Sequence, residues 1–146
     1  LLDMLSLVFL LPELVVAAPA AARAGLLQPQ DSETRELKDL NGLWRFRVDV
    51  NGEGFAQRWY TSVLPQPTRA MAVPSSYNEL FQDRTIREHV GVVWYEREFF
   101  VPLHWLSNRV VLYVGSANYR ATVWLNGQRA GEHEGGHLPF HLLLDN

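Results

Sequence analysis

The segment His133-Glu134-Gly135-Gly136-His137 satisfies H-E-x-x-H. In zinc peptidases that spacing sets two imidazoles on one face of a helix, where they share a metal while the glutamate activates water. Here both middle positions are glycine, the poorest helix former after proline. An Asn-Gly turn precedes the segment and Pro139 follows it. The pattern therefore predicts a bend leaving a strand, with His133 as a packing or surface residue and no metal held. Glu96 and Glu98 are a second candidate. On a strand they share a face about 7 Å apart, roughly the separation at which paired carboxylates hydrolyse glycosides. Arg97 lies between them on the opposite face, and nothing in the sequence would shift one carboxyl's pKa. A solvated sheet face or a structural ion pair is the expectation. Trp44, Trp59, Trp94 and Trp124 could stack on sugar rings, but three of them sit in alternating segments, where aromatic side chains build cores. Core is the expectation and a ligand platform the alternative.

The elements that would position these residues are strands. Trp44-Arg45-Phe46-Arg47-Val48-Asp49-Val50 alternates apolar and charged residues, which predicts a strand with Trp44, Phe46, Val48 and Val50 inward and the charges outward. Asn51-Gly52 supplies turn chemistry. Phe55 and Trp59, four apart, predict a short helical turn. Further strands are expected at Met71–Val73, Val90–Val101, Arg109–Val114, Tyr119–Leu125, Gln128–Glu134 and Phe140–Leu144, with long loops over 63–68 and 75–88. Asn126-Gly127 after an alternating run is a strong hairpin signal, because both turn positions need positive φ. Short strands with frequent turns and no long amphipathic helix make an all-β sandwich.

Composition agrees. The chain has 146 residues, 47% hydrophobic and 20% charged, a globular profile with one-domain length. Its formal net charge is −3, which implies no basic face for nucleic acid. It has no cysteine, so disulfides, thiolate metal sites and cysteine nucleophiles are excluded. Residues 1–24 differ from the rest. A short apolar run, Met4 to Leu11, leads into an Ala/Pro-rich stretch ending Ala22-Arg23-Ala24. This resembles a secretory signal, although Asp3, Pro12 and Glu13 interrupt the pattern. It is too short for a membrane span, which needs about 20 apolar residues. The expected division is a signal-like or irregular leader over 1–24 and a sandwich domain over 25–146.

Several motifs together carry a family resemblance. Asp39-Leu40-Asn41-Gly42-Leu43-Trp44-Arg45-Phe46 resembles the opening strand of glycoside hydrolase family 2. Val73-Pro74-Ser75-Ser76-Tyr77-Asn78 and Gly91-Val92-Val93-Trp94-Tyr95-Glu96-Arg97-Glu98 are similar to the segments that follow in that family. Gly115-Ser116-Ala117, Val123-Trp124-Leu125-Asn126-Gly127 and His133 to Phe140 continue in the same order. The set is most similar to the animal, lysosomal β-glucuronidase branch. His137 stands where the family has tyrosine, and that departure creates the zinc-like motif. Residues 141–146 leave the family pattern.

The resemblance implies a jelly-roll, galactose-binding-domain-like β-sandwich, incomplete at its C-terminus. It also implies that the family's two catalytic glutamates belong to a separate barrel. No catalytic, cofactor or metal residue is therefore expected here, no cofactor is expected, and no substrate-binding residue is assigned. Glu96 and Glu98 do not match the catalytic pair. The implied function is the N-terminal, non-catalytic part of a β-glucuronidase-like hydrolase in carbohydrate metabolism, inactive by itself. Implied partners are β-glucuronide or glycosaminoglycan-type sugars and further copies of the chain, with neither nucleic acid nor membrane. The implied location is lysosomal or secretory. The alternatives are a standalone carbohydrate-binding module or a truncated product without biochemical role. A jelly roll needs about eight strands. A sandwich short of strands would leave Trp44, Trp94 and Trp124 half exposed.

Overall fold

Alternating and apolar strand segments dominate the sequence, and they assemble into two sheets. The computed structural model describes residues 4–11, 29–105 and 107–144. Its strands are β1 (Met4–Leu11), β2 (Gly42–Val48), β3 (Arg69–Val73), β4 (Val93–Phe100), β5 (Val110–Val114), β6 (Arg120–Leu125), β7 (Gln128–Glu134) and β8 (Phe140–Leu144). Two short helices, α1 (Tyr77–Leu80) and α2 (Arg84–Arg87), occupy the segment expected to be loop. Asp83 starts α2 by accepting hydrogen bonds from the Thr85 backbone N–H at 2.9 Å and the Thr85 hydroxyl at 2.7 Å.

The larger sheet has six strands in the order β3-β2-β4-β1-β6-β7, and β5 and β8 form a second, two-stranded sheet. The pairs β2–β3, β2–β4, β6–β7 and β5–β8 are all antiparallel. Asn126 (φ 50°) and Gly127 (φ 79°) turn β6 into β7, as the Asn-Gly signal requires. Within the stretch that resembles a leader, Met4–Leu11 is a strand antiparallel to both β4 and β6. The rest of that stretch lies outside the described residues.

The main core lies between the sheets. Trp44, Phe46, Met71, Val93, Tyr95, Ala121 and Val123 of the large sheet meet Leu112, Phe140 and Leu144 of the small one, and Tyr77 and Ile86 close one end. Phe46 packs edge-on to Tyr95 at 5.0 Å and stacks on Phe81 at 5.5 Å. A second cluster, Trp59, Leu64, Trp94 and Trp124, lies on the other face of the large sheet. Alternation along β4 decides the split, since Val93 and Tyr95 join one cluster and Trp94 the other.

Three expectations change here. Trp44, Trp94 and Trp124 are 7%, 0% and 4% exposed, so these three are core, as their alternation predicts, and not half exposed as a sandwich short of strands would leave them. Val50 is 71% exposed because β2 ends at Val48 and the chain turns there. Asp49 is buried instead, accepting hydrogen bonds from the Glu53 and Gly54 backbone N–H groups. Finally, the charged face of β2 is not simply solvated. The segment after β2 folds over it, and the Arg47 guanidinium lies 3.9 Å from the centre of the Trp59 ring while donating to the Gln66 carbonyl.

Candidate functional site

His133 lies on β7, and His137 follows the Gly135–Gly136 bend. Gly135 has φ 121°, and its N–H donates to the Tyr119 carbonyl at 2.6 Å. Gly136 is held by close approach, since a Cβ there would overlap the Asn118 side chain. The His133 ring stacks on Phe140 at 4.3 Å, whereas the His137 ring meets Tyr119 edge-on at 6.4 Å. The His133 Nε2 is buried without a hydrogen-bond partner. The five-residue motif thus spans a strand end and a bend, and His133 is a packing residue. Among the described residues, no group of three or more metal-ligating side chains comes together.

Glu96 and Glu98 share a face of β4, as expected, and Arg45 of β2 bridges them. The Arg45 guanidinium is 3.2 Å from the Glu96 carboxylate and 3.5 Å from that of Glu98. Desolvation works to lower the Arg45 pKa, but hydrogen bonds to Glu98 and Glu96 outweigh it and hold the pKa above its ordinary value. Glu96 is fully buried and also accepts a hydrogen bond from the Leu64 backbone N–H at 3.0 Å. A carboxylate sealed under a loop and tied to arginine has no route to a glycosidic oxygen. The pair is a structural ion pair that fastens the loop after β2 to the sheet.

An open groove lies on that same face. It has a volume of about 510 Å³ and is lined by Phe55, Arg58, Tyr60, Arg120, Trp124, Arg129 and Glu132, among others. Tyr60 stacks on Trp124 with ring centres 5.0 Å apart and planes 13° from parallel. Phe55 stands edge-on to Trp124 at 5.6 Å and is 46% exposed. The Asn126-Gly127 turn closes one end, and a Cβ at Gly127 would lie 3.3 Å from the Thr61 Cα. Glu132 is bridged by Arg129 and by Arg120, the latter at 3.4 Å, and the charge of Arg129 chiefly holds its carboxyl below the usual range. Three arginines against one carboxylate leave the groove positive.

Core is the expectation for Trp44, Trp59, Trp94 and Trp124, with a ligand platform the alternative, and all four are buried. Tyr60 stacks on Trp124, and Phe55 stands edge-on to both Trp94 and Trp124. Period-2 alternation puts Arg120 and Trp124 on one face of β6, which is the part of the groove legible from sequence.

The profile of the family described as "Glycosyl hydrolases family 2, sugar binding domain" matches residues 37–145. This chain belongs to glycoside hydrolase family 2. Within family 2, it is 52% identical to the β-glucuronidase of Felis catus over 135 residues, covering 87% of this chain and 21% of that protein. A solved β-glucuronidase from an uncultured Clostridium sp. superimposes with a TM-score of 0.76 at 43% identity, covering 81% of this chain and 21% of the other. A Ruminococcus gnavus β-glucuronidase solved in complex with D-glucuronic acid gives 0.75 at 37% identity, covering 80% and 20%. The chain thus spans about a fifth of the length of these family 2 relatives.

Proposed function

We propose that this chain is the N-terminal, non-catalytic sandwich of a β-glucuronidase-like glycoside hydrolase and does not cleave glucuronides by itself. The carrying observation is the fate of Glu96 and Glu98, the two carboxylates nearest to glycosidase spacing. Arg45 bridges both, and Glu96 is sealed from solvent. A retaining glycosidase needs two carboxyl groups facing one open cleft. As the resemblance implies, the family supplies them from a barrel outside the matched residues 37–145. We also infer association with further copies and a lysosomal or secretory setting in carbohydrate metabolism, a reading supported by the 52% identity to the Felis catus β-glucuronidase. Incubating the purified chain with a chromogenic β-glucuronide tests this. No turnover is expected, and turnover abolished by Glu96→Gln or Glu98→Gln would refute it.

The groove favours a second reading, a carbohydrate-binding module. Tyr60 and Phe55 offer apolar ring surface, and Arg58, Arg120 and Arg129 offer donors and positive charge. That chemistry suits an acidic sugar such as a uronic acid. Titrating glucuronate against the chain by NMR should then shift resonances of Tyr60 and Arg58 first. Saturable shifts retained in Tyr60→Ala would place the sugar elsewhere.

A further inference from the structure

Strand β1 holds the centre of the large sheet. Its backbone pairs with β4 along its whole length, from Met4↔Phe100 to Leu11↔Val93. On its other side it pairs with β6, from Leu7↔Leu125 to Leu10↔Thr122. β3, β2 and β4 lie on one side of it and β6 and β7 on the other, so the two halves join in the sheet through β1. The flanking strands are covered on both faces at this point. Val93, Trp94, Tyr95 and Glu96 of β4 are buried in succession, as are Ala121 to Trp124 of β6. A strand between such neighbours has to be apolar at consecutive positions, not alternate ones. Met4-Leu5-Ser6-Leu7-Val8-Phe9-Leu10-Leu11 has that composition, with Ser6 its one polar residue. This segment lies outside the residues that the family profile matches, 37–145.

We propose that the gap between β4 and β6 is a strand-accepting slot whose occupant in this chain is its own segment Met4–Leu11. The slot recognises an antiparallel strand through main-chain hydrogen bonds, and asks for apolar residues at the consecutive positions 7–10 that pair on both sides. One consequence concerns the leader-like sequence. Apolar composition that suits a secretory signal also suits a central strand, and one segment cannot serve both after cleavage. Removal of residues 1–24 would open the sheet between β4 and β6 and expose two unpaired strand edges. Retention of the segment is therefore a condition of the closed sheet.

The absence of cysteine makes the register directly testable. The full chain is made with Ser6→Cys and Glu98→Cys, which are opposite each other, and separately with Ser6→Cys and Arg97→Cys, which are one residue out of register. Directly paired antiparallel residues lie within disulfide reach. On mild oxidation the first variant should form an intramolecular disulfide as a monomer and melt at a higher temperature than its reduced form. The second should form little. In the unmodified full chain, the backbone N–H groups of residues 7–10 should exchange with deuterium as slowly as those of residues 44–47 in β2. A disulfide that links two chains would give the slot to a second copy and overturn self-occupancy. Equal cross-linking in both variants, or exchange of residues 7–10 at the rate of an unstructured peptide, would overturn the slot assignment altogether.

Discussion

The indole N–H of Trp94 donates to the Asp49 carboxylate at 3.1 Å, with both side chains buried. Asp49 ends the run from β2, and its carboxylate also accepts hydrogen bonds from the Glu53 and Gly54 backbone N–H groups, each at 2.9 Å. One carboxylate thus holds the turn after β2 against β4 and sets the start of the segment that carries Phe55, Arg58 and Tyr60. Asp49→Ala would leave three donors without their acceptor. A loss of about 2–3 kcal/mol is expected, from the worth of hydrogen bonds to charged groups. Urea unfolding followed by tryptophan fluorescence checks it, and an unchanged midpoint would contradict the assignment.

Gly54 lies against the same indole. A Cβ there would stand 2.5 Å from Trp94 Nε1 and 2.7 Å from Cε2, and Trp94 is fully buried. Gly54→Ala should therefore cost about 1–3 kcal/mol through overpacking. Gly115, with nothing within 4 Å of its would-be Cβ, is the control. Gly115→Ala should stay within about 0.5 kcal/mol of the parent. Parallel thermal melts separate the two.

Arg45→Met would leave the buried Glu96 with its Leu64 N–H and without its cation. Breaking a fully buried pair costs about 3–5 kcal/mol. Because the Arg45 side chain is 40% exposed, solvent screens part of the interaction and about 1–3 kcal/mol is expected. Adding Glu96→Gln removes the stranded charge and should recover part of the loss. A double variant as unstable as the sum of the two singles would show that the pair is not coupled.

Acid should loosen α2 before the core. The Thr85 hydroxyl and backbone N–H hold the Asp83 carboxyl below its ordinary value of 3.8. A depressed carboxyl contributes stability above its unfolded pKa and loses it as pH falls through the folded value. The Thr85 amide resonance should therefore move in a transition below pH 3.8, and Asp83→Asn should abolish that transition. An amide insensitive to pH in the parent would contradict the cap.

Much of the fold is legible in local patterns. Alternation at Trp44 and Phe46 places them in the core, and Asn126-Gly127 fixes the hairpin, because both signals depend on neighbouring residues alone. β1 is not legible, since an apolar run has no period to distinguish a central strand from a signal core. The groove is half legible. Arg120 and Trp124 share a face by alternation, but Arg58 and Tyr60 reach it through a loop whose course depends on Asp49 and Trp94. The burial of Glu96 escapes a local reading for the same reason, because its cover, Leu64, comes from that loop.

The central claim is that this family 2 sandwich carries no glycosidase centre of its own. A fluorinated β-glucuronide that traps the covalent glycosyl-enzyme of retaining glycosidases tests it most directly. The purified full chain is incubated with the probe beside a complete β-glucuronidase, and intact masses are recorded. An unmodified mass for this chain, with one adduct on the complete enzyme, is the expected result. A single stoichiometric adduct on this chain that maps to Glu96 or Glu98 would contradict it.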